Sequence, residues 1–127
     1  DHCRRRGVHQ HLGEPARLDP QRGVEDVKSR LMLIQALEAV RALEEGVLTD
    51  IREGDVGAIL GWGFAPWSGG PFAALDMMGL SQAVALCDRL TEIYGERFTT
   101  PALMREMADK GESFYGRFGP QTAVAAE

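Results

Sequence analysis

His2, Cys3, His9 and His11 place four zinc-ligand side chains in the first eleven residues of the chain. A structural zinc site needs four such donors in tetrahedral reach, usually as spaced Cys and His pairs. His9 and His11 stand two apart, which on a strand would turn both to one face. No strand pattern surrounds them, and no second cysteine or carboxylate pair completes the set. They read as members of a polar segment, and no metal is expected.

Ser68 and Cys87 are the candidate nucleophiles. Ser68 lies between Trp67 and Gly69, with Pro66 where a G-x-S-x-G elbow needs its first glycine. A nucleophile also needs a base, and every histidine lies in the amino-terminal segment. Ser68 is therefore expected to serve a turn, and Cys87, on an apolar helical stripe, to pack in the core. Asp76 falls near the end of a short helix with no evident carboxylate partner.

Gly61-Trp62-Gly63-Phe64-Ala65-Pro66 comes one residue short of the G-x-G-x-x-G dinucleotide fingerprint. That motif follows a strand, opens a helix and has an acidic residue about 20 positions on. Here a helical pattern precedes it, Pro66 replaces the third glycine, and Asp76 comes thirteen after Gly63. A nucleotide loop is not expected. Seven of the fifteen glycines lie from Gly54 to Gly79, interleaved with Trp62, Phe64, Trp67 and Phe72. The run reads as a tight corner in which backbone angles barred to other residues are open, with Gly69 or Gly70 the candidates for positive φ, while large rings cover the loop. Its outward side is a candidate contact surface.

The elements that hold these residues read as helices. From Glu25 to Glu45, Val27, Leu31 and Ile34 form one stripe and Leu33, Leu37, Val40, Leu43 and Val47 the next. With Met32, Ala36 and Ala39 they cover most of the circumference, the pattern of a central helix buried by several neighbours. Gly46 suits its left-handed cap. Asp50, three before Glu53, starts a short helix through Val56, Ile59 and Leu60. A loop from Gly61 to Pro71 follows, and Pro71 opens a helix over Phe72 to Met78 that Gly79 ends. Ser81 is expected to cap the next helix, where Ala83, Leu86, Cys87, Leu90, Ile93 and Tyr94 make the clearest amphipathic stripe and Gly95 the stop. Thr100 and Pro101 open another, with Leu103, Met104, Met107 and Ala108 inward as far as Gly111, after which Phe114 and Tyr115 fold back. No stretch alternates long enough for a strand. The expected fold is an all-α bundle of about five helices over 25–118, with 1–24 a polar leader or interdomain linker and 119–127 a flexible tail.

A chain of 127 residues fits one domain. Its longest apolar run, Ala83 to Cys87, is five residues, far below the roughly 18 that cross a bilayer, so no membrane span is expected. No secretory pattern is visible, and a chain that begins with Asp1 is expected to be a fragment of something longer. Net charge is -5, split as five Arg against three acids in 1–24 (+2) and nine Lys/Arg against sixteen acids in 25–127 (-7). Nucleic acid is bound through clustered Lys and Arg, which here means Arg4, Arg5 and Arg6 alone, so no nucleic-acid partner is expected. Two cysteines in unlike contexts point to a reducing cytoplasm.

Four segments in order, VKSRLMLIQALEAVRALEEGVLTD, GDVGAILGWGFAPWSGGPFAALDMMG, YGERF and MADKGESFY, resemble the C-terminal domain of 3-hydroxyacyl-CoA dehydrogenase at the end of multifunctional fatty-acid oxidation proteins. The likeness covers about Asp26 to Tyr115. It implies an all-α bundle within an enzyme that oxidises (S)-3-hydroxyacyl-CoA with NAD in β-oxidation, joined to an enoyl-CoA hydratase. The family's NAD-binding Rossmann half and catalytic His/Glu pair precede this domain and have no counterpart here, so the resemblance implies no cofactor or acyl-CoA site in this chain. Multifunctional members carry the helical domain twice, the first copy with an Asn where this chain has Ser29 of Ser29-Arg30-Leu31-Met32. The chain thus resembles the second copy, whose implied partners are the upstream Rossmann unit and first repeat. Gly61, Trp62, Gly63, Phe64, Pro66, Trp67, Gly69, Gly70 and Pro71 are the expected structural corner and interdomain contact. A stand-alone helical interaction domain is the alternative.

Overall fold

Pro71 opens one of the helices and glycines close most of them, so these element boundaries follow from backbone chemistry. The computed structural model describes residues 20–120, and His2, Cys3, His9, His11, Arg4, Arg5 and Arg6 lie outside the described residues. Six α-helices run in order: α1 (Pro20–Glu44), α2 (Ile51–Trp62), α3 (Pro71–Met78), α4 (Leu80–Tyr94), α5 (Ala102–Asp109) and α6 (Phe114–Phe118). Single 3-10 turns at Pro66–Ser68 and Glu96–Phe98 complete the order, with no strand among the described residues. The expected all-α bundle is present, with one helix more than the sequence pattern separates.

α1 is described from Pro20, so residues 20–24 of the stretch read as leader are helical, and it ends in a two-bond cap. The Gly46 amide donates to Leu43 O at 3.2 Å and the Val47 amide to Ala42 O at 2.9 Å. Gly46 has φ +74°, the left-handed geometry this cap requires. Asp50 caps α2 as expected, accepting from the Arg52 amide at 2.9 Å. Two other expected caps are corrected. Gly79 occupies the N-cap of α4, so Ser81 already lies inside the helix. Pro101 takes the N-cap of α5 with no side-chain cap bond, while Thr100 before it is buried.

The core gathers Leu33, Leu37 and Val40 of α1, Ile51 of α2, Phe72 and Leu75 of α3, Cys87 and Leu90 of α4, Met104 and Met107 of α5, and Phe114 of α6. Phe72 and Phe114 meet with ring centroids 5.1 Å apart, tilted at 59°. The hub is α3, which packs on α1, α2, α4 and α6, so the expectation of a central α1 is corrected. Only one of its stripes is buried; Val27 and Leu31 on the other are 40% and 58% exposed. α2 turns Ile51, Asp55 and Ala58 inward and leaves Val56 and Leu60 exposed, and the α4 stripe is buried only as far as Leu90, with Ile93 exposed. At 100° per residue Val27, Leu31, Val56 and Leu60 stand on helix faces turned away from the buried ones, and Ile93 lies in the last turn of α4.

Gly69 and Gly70, the candidates for positive φ, both have it, at +79° and +114°. A Cβ on Gly70 would stand 2.5 Å from Asp55 Cβ and 2.6 Å from its Cα, whereas on Gly69 it would meet only Ala73 Cβ at 3.1 Å. Gly70→Ala should therefore cost about 3 kcal/mol or more, from backbone strain plus the clash, and Gly69→Ala about 1 kcal/mol. Urea unfolding followed by circular dichroism measures both; equal midpoints for the two variants would contradict the packing at Gly70.

Candidate functional site

The glycine-rich corner is a junction of helix ends. Gly61 and Trp62 belong to the last turn of α2 and not to a loop, which corrects the expected boundary. Gly63, at φ +76°, caps that helix's carboxyl end. Phe64, Gly70 and Pro71 are buried, whereas Trp62 and Trp67 are 63% and 78% exposed. Covering of the corner by rings thus falls to Phe64 and Phe72, and the tryptophans face outward. Trp62 donates its indole N–H to Gln35 Oε1 on α1 at 3.0 Å.

Gly70 stands at the N-cap of α3 and has no side chain to close it. Asp55, on α2 and 2% exposed, does so from outside. Its Oδ1 accepts from the Phe72 amide at 2.8 Å and its Oδ2 from the Ala73 amide at 3.2 Å. Those N–H groups have no intrahelical acceptor, and the helix dipole favours a carboxylate there. The absent Cβ of Gly70 is what lets Asp55 reach them.

Asp76 repeats the arrangement one helix further on, accepting from the Phe114 and Tyr115 amides of α6 at 2.7 and 2.9 Å. Ser113 adds the local cap, accepting from the Gly116 amide at 3.0 Å. Tyr115 then donates its hydroxyl to Asp55 Oδ2 at 2.6 Å. The ring closes: Asp55 holds α3, Asp76 of α3 holds α6, and Tyr115 of α6 holds Asp55. Burial, together with the bond to Asp55, pushes the Tyr115 hydroxyl well above its ordinary pKa. Glu44, at the end of α1, caps α5 in the same manner through the Leu103 amide at 2.9 Å.

The arrangement decides the chemistry. A pyrophosphate binds the free N–H groups of a helix start, but the start that follows this loop is filled by Asp55, and Gly61 and Gly63 lie at a helix carboxyl end. This corner therefore does not fit a pyrophosphate. Ser68 is buried, donating its hydroxyl to Ala65 O at 2.6 Å and accepting from the Gly70 amide at 3.3 Å, which makes it part of the turn. Cys87 is fully buried, and burial pushes its thiol up from the ordinary value, the opposite of nucleophile activation. No cluster of three or more His, Cys, Asp or Glu side chains stands in metal-binding reach among the described residues.

Asp55, Glu44 and the capping role of Asp76 were missed in the sequence. A signal exists: Gly69-Gly70-Pro71 starts a helix without a capping side chain, so a carboxylate must come from elsewhere.

No protein-family model matches the chain. Fatty acid oxidation complex subunit alpha of Shewanella amazonensis is 42% identical over 100 residues, which is 77% of this chain and 14% of that protein. The chain thus spans about a seventh of the length of this curated relative. The expected resemblance to fatty-acid oxidation proteins is borne out by this match.

Asp55→Ala strands two amides and a hydroxyl and should cost about 3 kcal/mol or more; Tyr115→Phe should cost about 1 kcal/mol. The tyrosine also sets an alkaline limit. Because its pKa is raised in the folded chain, its contribution is fully present below pH 10, the ordinary value, and is lost as pH rises beyond it. Urea titrations from pH 8 to about 11 should show a steeper loss of stability for wild type than for Tyr115→Phe. Equal slopes would contradict the hydroxyl's place in the ring.

Proposed function

We propose that this chain is a helical support module of an NAD-dependent 3-hydroxyacyl-CoA dehydrogenase of fatty-acid oxidation, the second helical repeat at the carboxyl end of a multifunctional polypeptide. The observation that carries this is the 42% identity over 100 residues to a fatty acid oxidation complex alpha subunit. NAD and the acyl-CoA are held by the Rossmann unit and first repeat that precede it, and this chain supplies no reacting group. Its work is to pack on that first repeat and fix it.

An exposed surface suited to such packing supports the reading. Trp67, Leu60 and Val56 are 78%, 80% and 56% exposed, and the last two stand four apart on one face of α2. Tryptophans at desolvated interface centres contribute much of the binding energy, and α2 and the corner after it are held rigid by the Asp55 ring. The cytoplasm is the proposed compartment, in keeping with the free, buried thiol of Cys87.

The complete polypeptide should reduce NAD+ with an (S)-3-hydroxyacyl-CoA, followed as NADH absorbance, and the 127-residue chain alone should not. Trp67→Ser should lower the thermal midpoint of the complete polypeptide and leave that of the isolated chain nearly unchanged. NADH production by the isolated chain would overturn the support role. A complete polypeptide without dehydrogenase activity would favour a stand-alone interaction domain.

A further inference from the structure

α1 changes character along its length. From Arg30 to Ala39 it reads RLMLIQALEA, mostly strong helix formers, whereas Gly23 to Ser29 holds a glycine, two valines, an aspartate and a serine, each poorer in a helix interior than alanine or leucine. Burial divides close to the same place. From residue 23 every position up to Met32 is at least partly exposed, and Leu33 is the first to be buried. Residues 23–32 span about 15 Å at the helical rise and supply no member of the core cluster. Neither propensity nor burial accounts for their holding helical order.

One cluster of side chains does. The Tyr94 hydroxyl, in the last turn of α4, donates to Asp26 Oδ2 at 2.8 Å. Arg30, one turn on from Asp26, pairs with the same oxygen through Nε at 2.9 Å. Its guanidinium lies over the Tyr94 ring, with Cζ 4.2 Å from the centroid. Tyr94 is in turn set against Phe98, ring centroids 6.2 Å apart, and Phe98 belongs to the core. Among the described residues, the bond from Tyr94 to Asp26 is the side-chain hydrogen bond that ties residues 23–32 to another element. Asp26 lies in the weak stretch and Arg30 opens the strong one, so the cluster straddles the break. All three groups remain partly exposed, and contacts of this kind at a surface are weak enough to break and re-form without unfolding a core.

We propose that residues 23–32 of α1 are a clasped arm, which opens from the bundle and closes on it as one unit while the chain from Leu33 onward stays folded, with Asp26, Arg30 and Tyr94 as the clasp. Open, the arm unwinds, because its weak helix formers have no contact left to offset the entropy of ordering them. Closing extends a helix that is already present and needs no new nucleus. In a longer polypeptide the clasp would fix or free the direction in which α1 meets the segment before it. That consequence rests on the support role proposed above; the clasp itself does not.

Amide hydrogen exchange of the 127-residue chain, resolved by NMR and repeated at urea concentrations below the unfolding transition, tests it. In wild type the Val27, Lys28, Ser29 and Arg30 amides should exchange through an opening that urea hardly promotes. Those of Leu37 and Val40 should follow global unfolding and accelerate with urea. Tyr94→Phe keeps the ring and removes the hydroxyl, and Arg30→Met keeps helix propensity and removes the cation. Each should speed arm and core amides alike, roughly fivefold, because the clasp is lost in both openings. Wild-type arm amides that share the urea dependence of Leu37 would make α1 one cooperative unit and overturn the proposal. Arm amides indifferent to both substitutions would also overturn it, whether or not the core amides respond. The wild-type urea series decides the matter even if a variant misfolds.

Discussion

A helix start needs acceptors for its first N–H groups, and the starts of α3, α5 and α6 in this chain obtain them from carboxylates on other helices. Asp55, Asp76 and Glu44 each join two elements through two or fewer side-chain oxygens. Local caps stabilise one helix; caps supplied from a neighbour fix the position of that helix as well. This matters because α3, α5 and α6 are eight, eight and five residues long, too short to be stable as isolated helices. Apolar burial brings them together, and the capping bonds select one arrangement of their ends.

The same bonds explain what the corner does not do. Glycine-rich turns leading into helices commonly cradle phosphates, because the backbone is accessible and the dipole is positive. Here Gly70 is accessible for a different reason: its missing side chain admits Asp55, whose charge occupies the position an anion would take. A corner filled in this way offers rigidity rather than chemistry. The exposed tryptophans and apolar helix faces stand on that base.

Element types were legible in the sequence because they follow from local rules. Gly46, Gly79 and Gly95 stop helices where expected, Asp50 caps α2 and Pro71 opens α3. Burial was less legible. A stripe such as Val27, Leu31 and Ile34 has the same period whether a neighbour covers it or not, and periodicity carries no count of neighbours. The capping ring was hidden for a related reason: Asp55 and Phe72 are seventeen residues apart, and Tyr115 and Asp55 sixty. Only the uncapped Gly-Gly-Pro start pointed to a donor set in want of an acceptor. Ser81 and Thr100 misled because cap propensity marks a residue type, while the neighbouring glycine or proline fixed where the helix began.

The most direct test of capping from other helices is amide hydrogen exchange resolved by NMR. First-turn amides ordinarily exchange fast, having no partner inside the helix. The Phe72, Phe114 and Tyr115 amides should instead exchange as slowly as mid-helix amides such as that of Cys87, and the Leu103 amide, held by exposed Glu44, should exchange faster than these three. First-turn amides of α3 and α6 exchanging at rates typical of frayed helix ends would contradict the account.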